Sequence, residues 1–371
     1  MEDATLLEVL YLIVVSGAVM VIFKRSMSMI CISISLMTIL LMVIRRITRS
    51  RLPVKNKTVL ITGCETEAGL ELVRSLDSKG FRVLATFKSV NSNGVNILKK
   101  NCSDKLRVLE LDVTSDTSCS QCFNEVKNQL GEDDLWAVVN NASDALIGDV
   151  ELTTIEQYKT IIDVNLMGTI RVTQTFLPLI RLSQGRIVNV SSVGGLMGIP
   201  NGSAFSASKY GVEGFTESLR LEMVKFGVQV SLVEPSLSYQ LSSQSSKALK
   251  QSCEEMKLKA SEDILETYGE DYISGMCNEF INKNSHLNHP DVCEAVTDAI
   301  LLEHHTARYI VGDSHRLLNT SKWIARIRSC IPSAWFDSLV LNMYGTKLDT
   351  AYEIKQYTKE DEDDDQDKKQ K

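Results

Sequence analysis

Histidine is scarce in this sequence, and no group of residues has the spacing of a metal site. The five histidines all lie beyond residue 285, and the adjacent His304 and His305 are typical of a helix surface. The net charge of −7 argues against nucleic-acid binding, because duplex-binding proteins usually carry a clustered basic surface. We therefore expect neither a bound metal nor a nucleic-acid partner.

The cysteines form no disulfide framework. There are nine, an odd number, scattered from Cys31 to Cys330, which favours a reducing compartment. The single C-x-x-C, Cys119 to Cys122, would need a helix N-terminus beneath it or a second ligand pair to act in redox or metal chemistry. We expect two ordinary helix cysteines.

Two long apolar runs, Val9 to Phe23 and Met27 to Ile44, lie within the first fifty residues. With only a basic pair between them, they predict two closely spaced membrane helices, so residues 1–50 are a membrane anchor. The alternative is a single anchor preceded by a signal-like start. Against it, Glu2 and Asp3 stand where a signal peptide is basic.

The segments flanking the main domain predict its location. Basic residues follow the second apolar run, and by the positive-inside bias they place the main domain in the cytosol: Arg45, Arg46, Arg49, Arg51, Lys55 and Lys57. Residues 351–371 are an acidic tail too polar to order itself. Its end, Lys368 to Lys371, resembles the dilysine signal that retrieves membrane proteins to the endoplasmic reticulum.

From Lys57 onward, short apolar runs alternate with amphipathic segments. The runs are Thr58–Thr62, Arg82–Thr86, Leu106–Leu111, Trp136–Asn140, Arg186–Ser191, Val228–Glu234 and Tyr309–Gly312. This alternation predicts a parallel sheet covered by helices on both faces, hence an α/β, doubly wound, Rossmann-type domain over residues 51–315.

The first of these runs ends in a glycine-containing loop, "VLITGCETEAG". Thr62 and Gly63 stand where the strand ends, and Gly69 lies near the start of the next helix. In such a fold a cofactor pyrophosphate lies over that helix N-terminus, whose N–H groups favour an anion.

The sequence resembles the short-chain dehydrogenase/reductase superfamily over about residues 57–312. "TGCETEAG" is similar to the family's T-G-x-x-x-G-x-G motif, "LDVT" supplies Asp112 for the adenine, and "NNAS" begins with Asn140 beside the cofactor. Asn165, Ser192 and Lys209 fall at three of the four catalytic positions. The N-terminal anchor, the loop sequence "GCETEAG" and the long C-terminal extension resemble those of the membrane-bound group of retinol, hydroxysteroid and D-β-hydroxybutyrate dehydrogenases.

The resemblance implies hydride transfer between a nicotinamide and an alcohol or ketone, with a tyrosine phenol exchanging the proton. The tyrosine position, four residues before Lys209, is Phe205, which cannot give or take a proton. Tyr210 points about 140° away around the helix at about 100° per residue, so we expect a packing role for it. Ser203 and Ser206 carry hydroxyls near this position, but an alcohol is a poor acid near neutral pH and a poor replacement for the tyrosine as proton donor.

Three further departures affect the cofactor site. Glu67 replaces the second glycine of the loop, which brings bulk and like charge to the pyrophosphate. Ser143 and Ser236 replace two other family glycines. The cofactor is NAD or NADP: no acid is present among Thr86 to Lys88 to bind a ribose hydroxyl, and Lys88 gives a slight preference for NADP.

The substrate side is less determined. Residues between Pro235 and Pro290 are a substrate-covering lid or an exposed helical insertion. Residues 316–350 form an amphipathic C-terminal extension, lying on a membrane surface or packed on the domain. A site at a membrane suits a lipophilic partner such as a steroid or retinoid, and the family resemblance is compatible with a homodimer.

Two functions remain open. One is a membrane-anchored oxidoreductase of lipophilic alcohols or ketones, in which Phe205 puts the activity in question. The other is a catalytically inactive descendant that binds partners or acts as a scaffold at the endoplasmic reticulum. Replacing Phe205 by tyrosine separates them, because only an otherwise intact site would gain activity.

Overall fold

The computed structural model describes residues 24–25, 27–41, 50–240, 243–283, 289–312 and 331–345. The chain divides into two units, and the smaller contains Met1–Arg51 and Leu302–His304. In it, residues 27–41 form helix α1, whose side chains are all exposed. No described helix is both long and apolar enough to span a bilayer. The first predicted membrane segment, Val9 to Phe23, and the end of the second lie outside the described residues.

The larger unit, Leu52–Leu301 with His305–Lys371, contains a seven-stranded sheet in the order β3-β2-β1-β4-β5-β6-β7. Every neighbouring pair of these strands is parallel. The strands are β1 (Lys57–Ile61), β2 (Arg82–Phe87), β3 (Arg107–Glu110), β4 (Asp134–Asn140), β5 (Arg186–Val190), β6 (Gln229–Pro235) and β7 (Arg308–Val311). All seven predicted strands are thus confirmed, with ends that differ by at most two residues.

Helices connect the strands. They are α2 (Glu67–Ser78), α3 (Asn93–Asn101), α4 (Asp116–Leu130), α5 (Ile155–Ile162), α6 (Gly168–Ser183), α7 (Ser203–Met223), α8 (Leu237–Gln240), α9 (Ser243–Lys259), α10 (Glu262–Tyr268), α11 (Glu270–Lys283), α12 (His289–Leu301) and α13 (Ser333–Tyr344).

Alternate residues of each central strand face opposite layers of helices. Val59 and Ile61 of β1 pack with α2, α3 and α12, whereas Leu60, between them, packs with α4, α6 and α7. Because successive strand residues point to opposite faces, an uninterrupted apolar strand requires helices on both sides. The predicted doubly wound architecture is confirmed.

A third apolar cluster lies beyond the sheet. It joins buried residues of α9 and α11, such as Met256 and Ile273, to Phe205 of α7 and to Phe336 and Val340 of α13. The lid region therefore buries one face against the domain and is not merely an exposed insertion. The described part of the C-terminal extension also packs on the domain, while Trp335 on the same helix is 70% exposed.

A buried ion cluster ties β7 to β6 and α7. Arg308 donates hydrogen bonds to Glu213 (2.6 Å), Glu217 (2.6 Å) and Glu234. Glu234 is fully buried, and burial together with Glu213 raises its pKa to about 8. The arginine is therefore the main compensation for two buried carboxyl groups. One of them, Glu213, lies one helical turn after Lys209 on α7.

Candidate active site

The loop after β1 is shaped by two glycines that tolerate no side chain. Gly63 has φ +69°, and a Cβ there would lie 2.5 Å from the Cα of Ala142. A Cβ on Gly69 would lie 2.5 Å from the Gly63 carbonyl oxygen. The loop is therefore pressed against the segment after β4, as the predicted phosphate-binding turn requires.

Side-chain hydrogen bonds hold this loop to the end of β4. Thr62 Oγ1 accepts from the backbone N–H groups of Asn141 and Ala142, each at 3.0 Å. Asn141 Nδ2 donates to the carbonyls of Thr62 (3.1 Å) and Gly63 (3.2 Å), and Asn141 Oδ1 accepts from the Tyr239 hydroxyl at 3.1 Å. Sequence reasoning missed Asn141 and Tyr239; the doubled asparagine of "NNAS" was the one available signal.

Asn140, the predicted cofactor residue, is bonded into the central sheet. Its Nδ2 donates to Thr173 Oγ1 (3.0 Å) and to Asn189 Oδ1 (2.8 Å). The Asn140 Oδ1 and the Ser143 hydroxyl are buried without a hydrogen-bond partner among the described residues. The Asn140 side chain thus joins β4 to α6 and β5. Asn140 Oδ1 and Ser143 Oγ, beside the loop, could each form a hydrogen bond to a bound molecule.

Helix α2 begins at Glu67. Thr66 caps it by accepting from Gly69 N–H at 3.0 Å. The Glu67 side chain is exposed, so its extra bulk does not distort the loop. Its charge still lies in the first turn, where it interacts with the helix dipole in the way a pyrophosphate would.

Asp112, the residue predicted to contact the adenine, pairs with Lys88. Asp112 Oδ1 accepts from the N–H (2.9 Å) and hydroxyl (2.7 Å) of Thr114, and Asp112 Oδ2 lies 3.2 Å from Lys88 Nζ. Partial burial by itself would raise the pKa of Asp112. The hydrogen bonds from Thr114 and the charge of Lys88 outweigh this effect, so the pKa of Asp112 is lowered. Asp112 is therefore held as a carboxylate.

Three predicted catalytic residues are buried near the carboxyl ends of β4 and β5. Ser192, fully buried after β5, accepts from Gly194 N–H (3.2 Å) and donates to the Pro235 carbonyl (3.4 Å). Asn165 lies in a π-helical turn between α5 and α6, a feature frequent at functional sites. Its Nδ2 donates to Ser208 Oγ at 2.9 Å, and its amide is bonded to the backbone of Asp144 in both directions.

Lys209 lies on α7, and its side chain is 1% exposed. Its Nζ donates to the Val190 carbonyl at 3.2 Å. Burial lowers the pKa of Lys209 to about 7, against the opposing charge of Glu213. Near neutral pH this lysine therefore exists as a mixture of ammonium and amine.

Phe205 fills the tyrosine position. Its side chain is buried, its ring centroid lies 5.6 Å from Lys209 Nζ, and its ring edge packs against Gly194. The ammonium and the ring face are within the range of a cation–π contact. The aromatic body of the family site is retained, without the hydroxyl.

The nearby hydroxyls are already engaged. Ser203 Oγ hydrogen-bonds the Tyr158 hydroxyl, and Ser206 Oγ accepts from Ile199 N–H at 3.2 Å. Tyr210 is 37% exposed, so its expected packing role is wrong and it lies at the surface. The thiols of Cys119 and Cys122 on α4 are both buried. Burial raises the pKa of Cys119 to about 11 and that of Cys122 to about 12, so neither thiol is activated as a thiolate.

A cavity of about 680 Å³ lies between the loop before α7, the first turn of α7 and α13. Its lining combines apolar side chains with serine hydroxyls and one carboxyl group, including Ile199, Ser206, Phe336, Asp337, Val340 and Leu341. No group of three metal-binding side chains occurs within the described ranges.

The fold and these contacts define a doubly wound α/β protein with a buried serine, asparagine and lysine. The family model for short chain dehydrogenase matches residues 57–248, and the chain belongs to that family. It is 36% identical over 295 residues to human dehydrogenase/reductase SDR family member 9, covering 78% of this chain and 88% of that protein.

Two further relatives and one structure extend the comparison. Bovine 11-beta-hydroxysteroid dehydrogenase type 2 is 34% identical over 73% of this chain and 68% of its own. Bovine mitochondrial D-beta-hydroxybutyrate dehydrogenase is 44% identical, with 49% of this chain and 54% of its own covered. A short-chain dehydrogenase from Streptomyces avermitilis has the same fold, with a TM-score of 0.58, 21% identity and coverage of 79% of this chain and 98% of its own. The predicted resemblance is confirmed.

Proposed function

We propose that this protein is a membrane-anchored oxidoreductase of lipophilic alcohols or ketones that uses NAD or NADP and lacks the usual proton donor. The observation that carries the proposal is the joint burial of Ser192, Asn165 and Lys209, which occupy three of the family's four catalytic positions in the sequence. Burying a lysine and two polar side chains is costly for a fold that makes no use of them.

The residues around the β1 loop fit a dinucleotide. Gly63 and Gly69 leave bare backbone beside the helix N-terminus, and the Ser143 hydroxyl has no partner among the described residues. When bound, the nicotinamide would give or accept the hydride. The charge of Glu67 opposes binding, but because its side chain is exposed it can turn toward solvent.

The chain's own groups would divide the remaining work. In this proposal Ser192 polarises a substrate oxygen, and Lys209 supplies positive charge and bonds a ribose hydroxyl. Phe205 excludes water from the site and cannot transfer a proton. Positioned acid–base catalysis is worth about 10²–10⁴-fold, so we expect slow turnover with the native sequence.

The substrate class is inferred from the cavity and the relatives. A volume of about 680 Å³ lined largely by apolar side chains accommodates a steroid or a retinoid. One relative is named as an 11-beta-hydroxysteroid dehydrogenase, which supports a steroid-like alcohol or ketone as the substrate here.

The membrane location rests on the first fifty residues and on α13. All described side chains of α1 are exposed, and most are large and apolar, with Met29 65% and Leu36 61% exposed. Exposed apolar side chains over whole turns are stable in lipid and costly in water. We propose an endoplasmic reticulum location with the main domain facing the cytosol, supported by the basic residues that follow the second apolar run.

One observation favours the second function, a catalytically inactive binding or scaffold protein. The Phe205 ring is packed on Lys209 without any hydroxyl that could reach the substrate oxygen from the same position. In this alternative the fold presents a surface to partners, and the site is retained for stability.

Replacing Phe205 by tyrosine in the full-length protein tests the choice. Turnover of a panel of steroid and retinoid alcohols and ketones with each nicotinamide cofactor is expected to rise about 10²–10⁴-fold. Phe215→Tyr is the matched control, because it adds the same hydroxyl to the same helix outside the site. A folded Phe205→Tyr protein with no gain would support the scaffold function.

A further inference from the structure

The loop after β1 reaches across to the end of β2. Glu65, which lies between Gly63 and the start of α2, accepts a hydrogen bond from the backbone N–H of Lys88. Lys88 is the first residue beyond β2 (Arg82–Phe87). A half-buried carboxylate therefore occupies the place where the second strand ends.

In dinucleotide-binding folds, the end of the second strand contacts the adenosine ribose. An acid there accepts a hydrogen bond from the 2′-hydroxyl of NAD, whereas basic groups accommodate the 2′-phosphate of NADP. Thr86, Phe87 and Lys88 include no acid. Glu65 supplies the missing carboxylate from a different loop, 23 residues earlier in the chain.

The surrounding charges are mostly negative. Lys88 Nζ is paired with Asp112 at 3.2 Å, so its charge is partly neutralised. Asp144 is close enough to Glu65 to raise the pKa of that carboxyl group further, after the larger effect of burial. Three carboxyl groups, those of Glu65, Asp112 and Asp144, are thus close enough to interact with one ammonium group just beyond β2.

We propose that Glu65 acts as the ribose-binding acid of this chain and makes the site select NAD(H) over NADP(H). The inference rests on the proposed dinucleotide binding, and it replaces the preference for NADP that Lys88 alone suggested.

Two effects act in the same direction. The N–H of Lys88, a donor that a 2′-phosphate could use, is already bonded to Glu65. The carboxylate also repels the phosphate, which carries up to about two negative charges at neutral pH. The ribose hydroxyls of NAD, in contrast, donate to a half-buried carboxylate that has few donors of its own.

The experiment measures the affinities of NADH and NADPH for the full-length protein in detergent micelles by fluorescence titration. We expect NADH to bind about 10- to 100-fold more tightly than NADPH, from one charged hydrogen bond and one repulsive contact. Glu65→Ser removes the carboxylate and releases the Lys88 N–H, so the preference should fall to less than about threefold or reverse.

Glu67→Gln is the matched control, because it removes the same charge two residues away, on the exposed start of α2. It should improve both affinities alike and leave their ratio unchanged. Equal or tighter NADPH binding by the native protein, or an unchanged ratio in Glu65→Ser, would overturn the inference while leaving dinucleotide binding intact. If neither cofactor binds the folded native protein, the proposed function fails and this inference with it. Circular dichroism of each variant identifies any that does not fold.

Discussion

The Phe205 ring centroid lies 5.6 Å from the Nζ of Lys209, and both side chains are buried on one face of α7. The contact pairs the buried lysine with an aromatic ring that lacks a phenol hydroxyl. The protonation state of Lys209 can therefore be used to measure how far the site is shielded from water, because burial disfavours the charged form of a lysine.

Replacing Lys209 by methionine should change stability in a pH-dependent way. The pKa of Lys209 is lowered by burial to about 7, whereas in the unfolded chain it is near 10.5. Between these values the unfolded state binds one proton more than the folded state, so the native protein gains about 1.4 kcal/mol per pH unit relative to the variant as pH rises. Below pH 7 the difference should be constant.

The measurement is urea unfolding of both proteins at pH 6, 7, 8 and 9. Other groups titrate in both proteins and cancel in the comparison. A stability difference that stays flat from pH 7 to pH 9 would show that Lys209 is charged in the folded state throughout.

Gly63→Ala should prevent the β1 loop from closing on Ala142. The added Cβ would meet backbone at 2.5 Å, at a φ of +69° that alanine rarely adopts. We expect a loss of about 2–4 kcal/mol, from left-handed strain and from overpacking combined, together with loss of cofactor binding.

Gly131→Ala is the control for the strain alone, because Gly131 has φ +62° but nothing within 4 Å of the added Cβ. Thermal unfolding should show a loss of about 1–2 kcal/mol for it. Equal losses in the two variants would contradict the close contact between Gly63 and Ala142.

Arg308→Met should destabilise the protein strongly, because it leaves the carboxyl groups of Glu213 and Glu234 buried without their counter-ion. Breaking a buried pair costs about 3–5 kcal/mol. The loss should be smaller at pH 5 than at pH 8, since the pKa of Glu234 is raised by burial to about 8 and its carboxyl group is neutral at the lower pH.

The control is Arg74→Met, which removes a half-exposed pair with Glu71 on α2. We expect a change of less than about 1 kcal/mol. Denaturant unfolding at both pH values measures the two variants, and a loss for Arg308→Met as small as that of the control would show that the cluster contributes little.

Ser192→Ala should abolish the activity that Phe205→Tyr restores. If Ser192 polarises the substrate oxygen, its removal in that background lowers turnover about 10²–10³-fold with little change in cofactor affinity. The adjacent Ser191→Ala serves as the control, and steady-state kinetics of both double variants decides. Equal activity of the two double variants would show that Ser192 does not polarise the substrate oxygen.

The fold was predictable because its signals are local. Each strand is a run of apolar residues bounded by polar ones, and the three predicted catalytic positions come from the resemblance to the family's motifs. Strand β3 is one residue shorter at each end than predicted. Leu106 and Leu111 are apolar and buried, as strand residues often are, but both lie outside this edge strand.

The contacts that decide function were not predictable in this way. Glu65 meets Lys88 across 23 residues, Thr62 meets Asn141 across 79, and Arg308 meets Glu213 across 95. No local pattern specifies such pairs, because they depend on which strands become neighbours in the sheet. Lys88 therefore suggested NADP when considered alone and suggests NAD when its partners are included.

Calorimetric titration of NADH into the full-length protein, in detergent micelles at neutral pH, tests the central claim most directly. The account predicts saturable binding in the micromolar range with one site per chain, because the loop, the helix N-terminus and the buried lysine are in place. Absence of binding at millimolar NADH, from a protein shown to be folded, would contradict it and would mean that the site is a structural remnant.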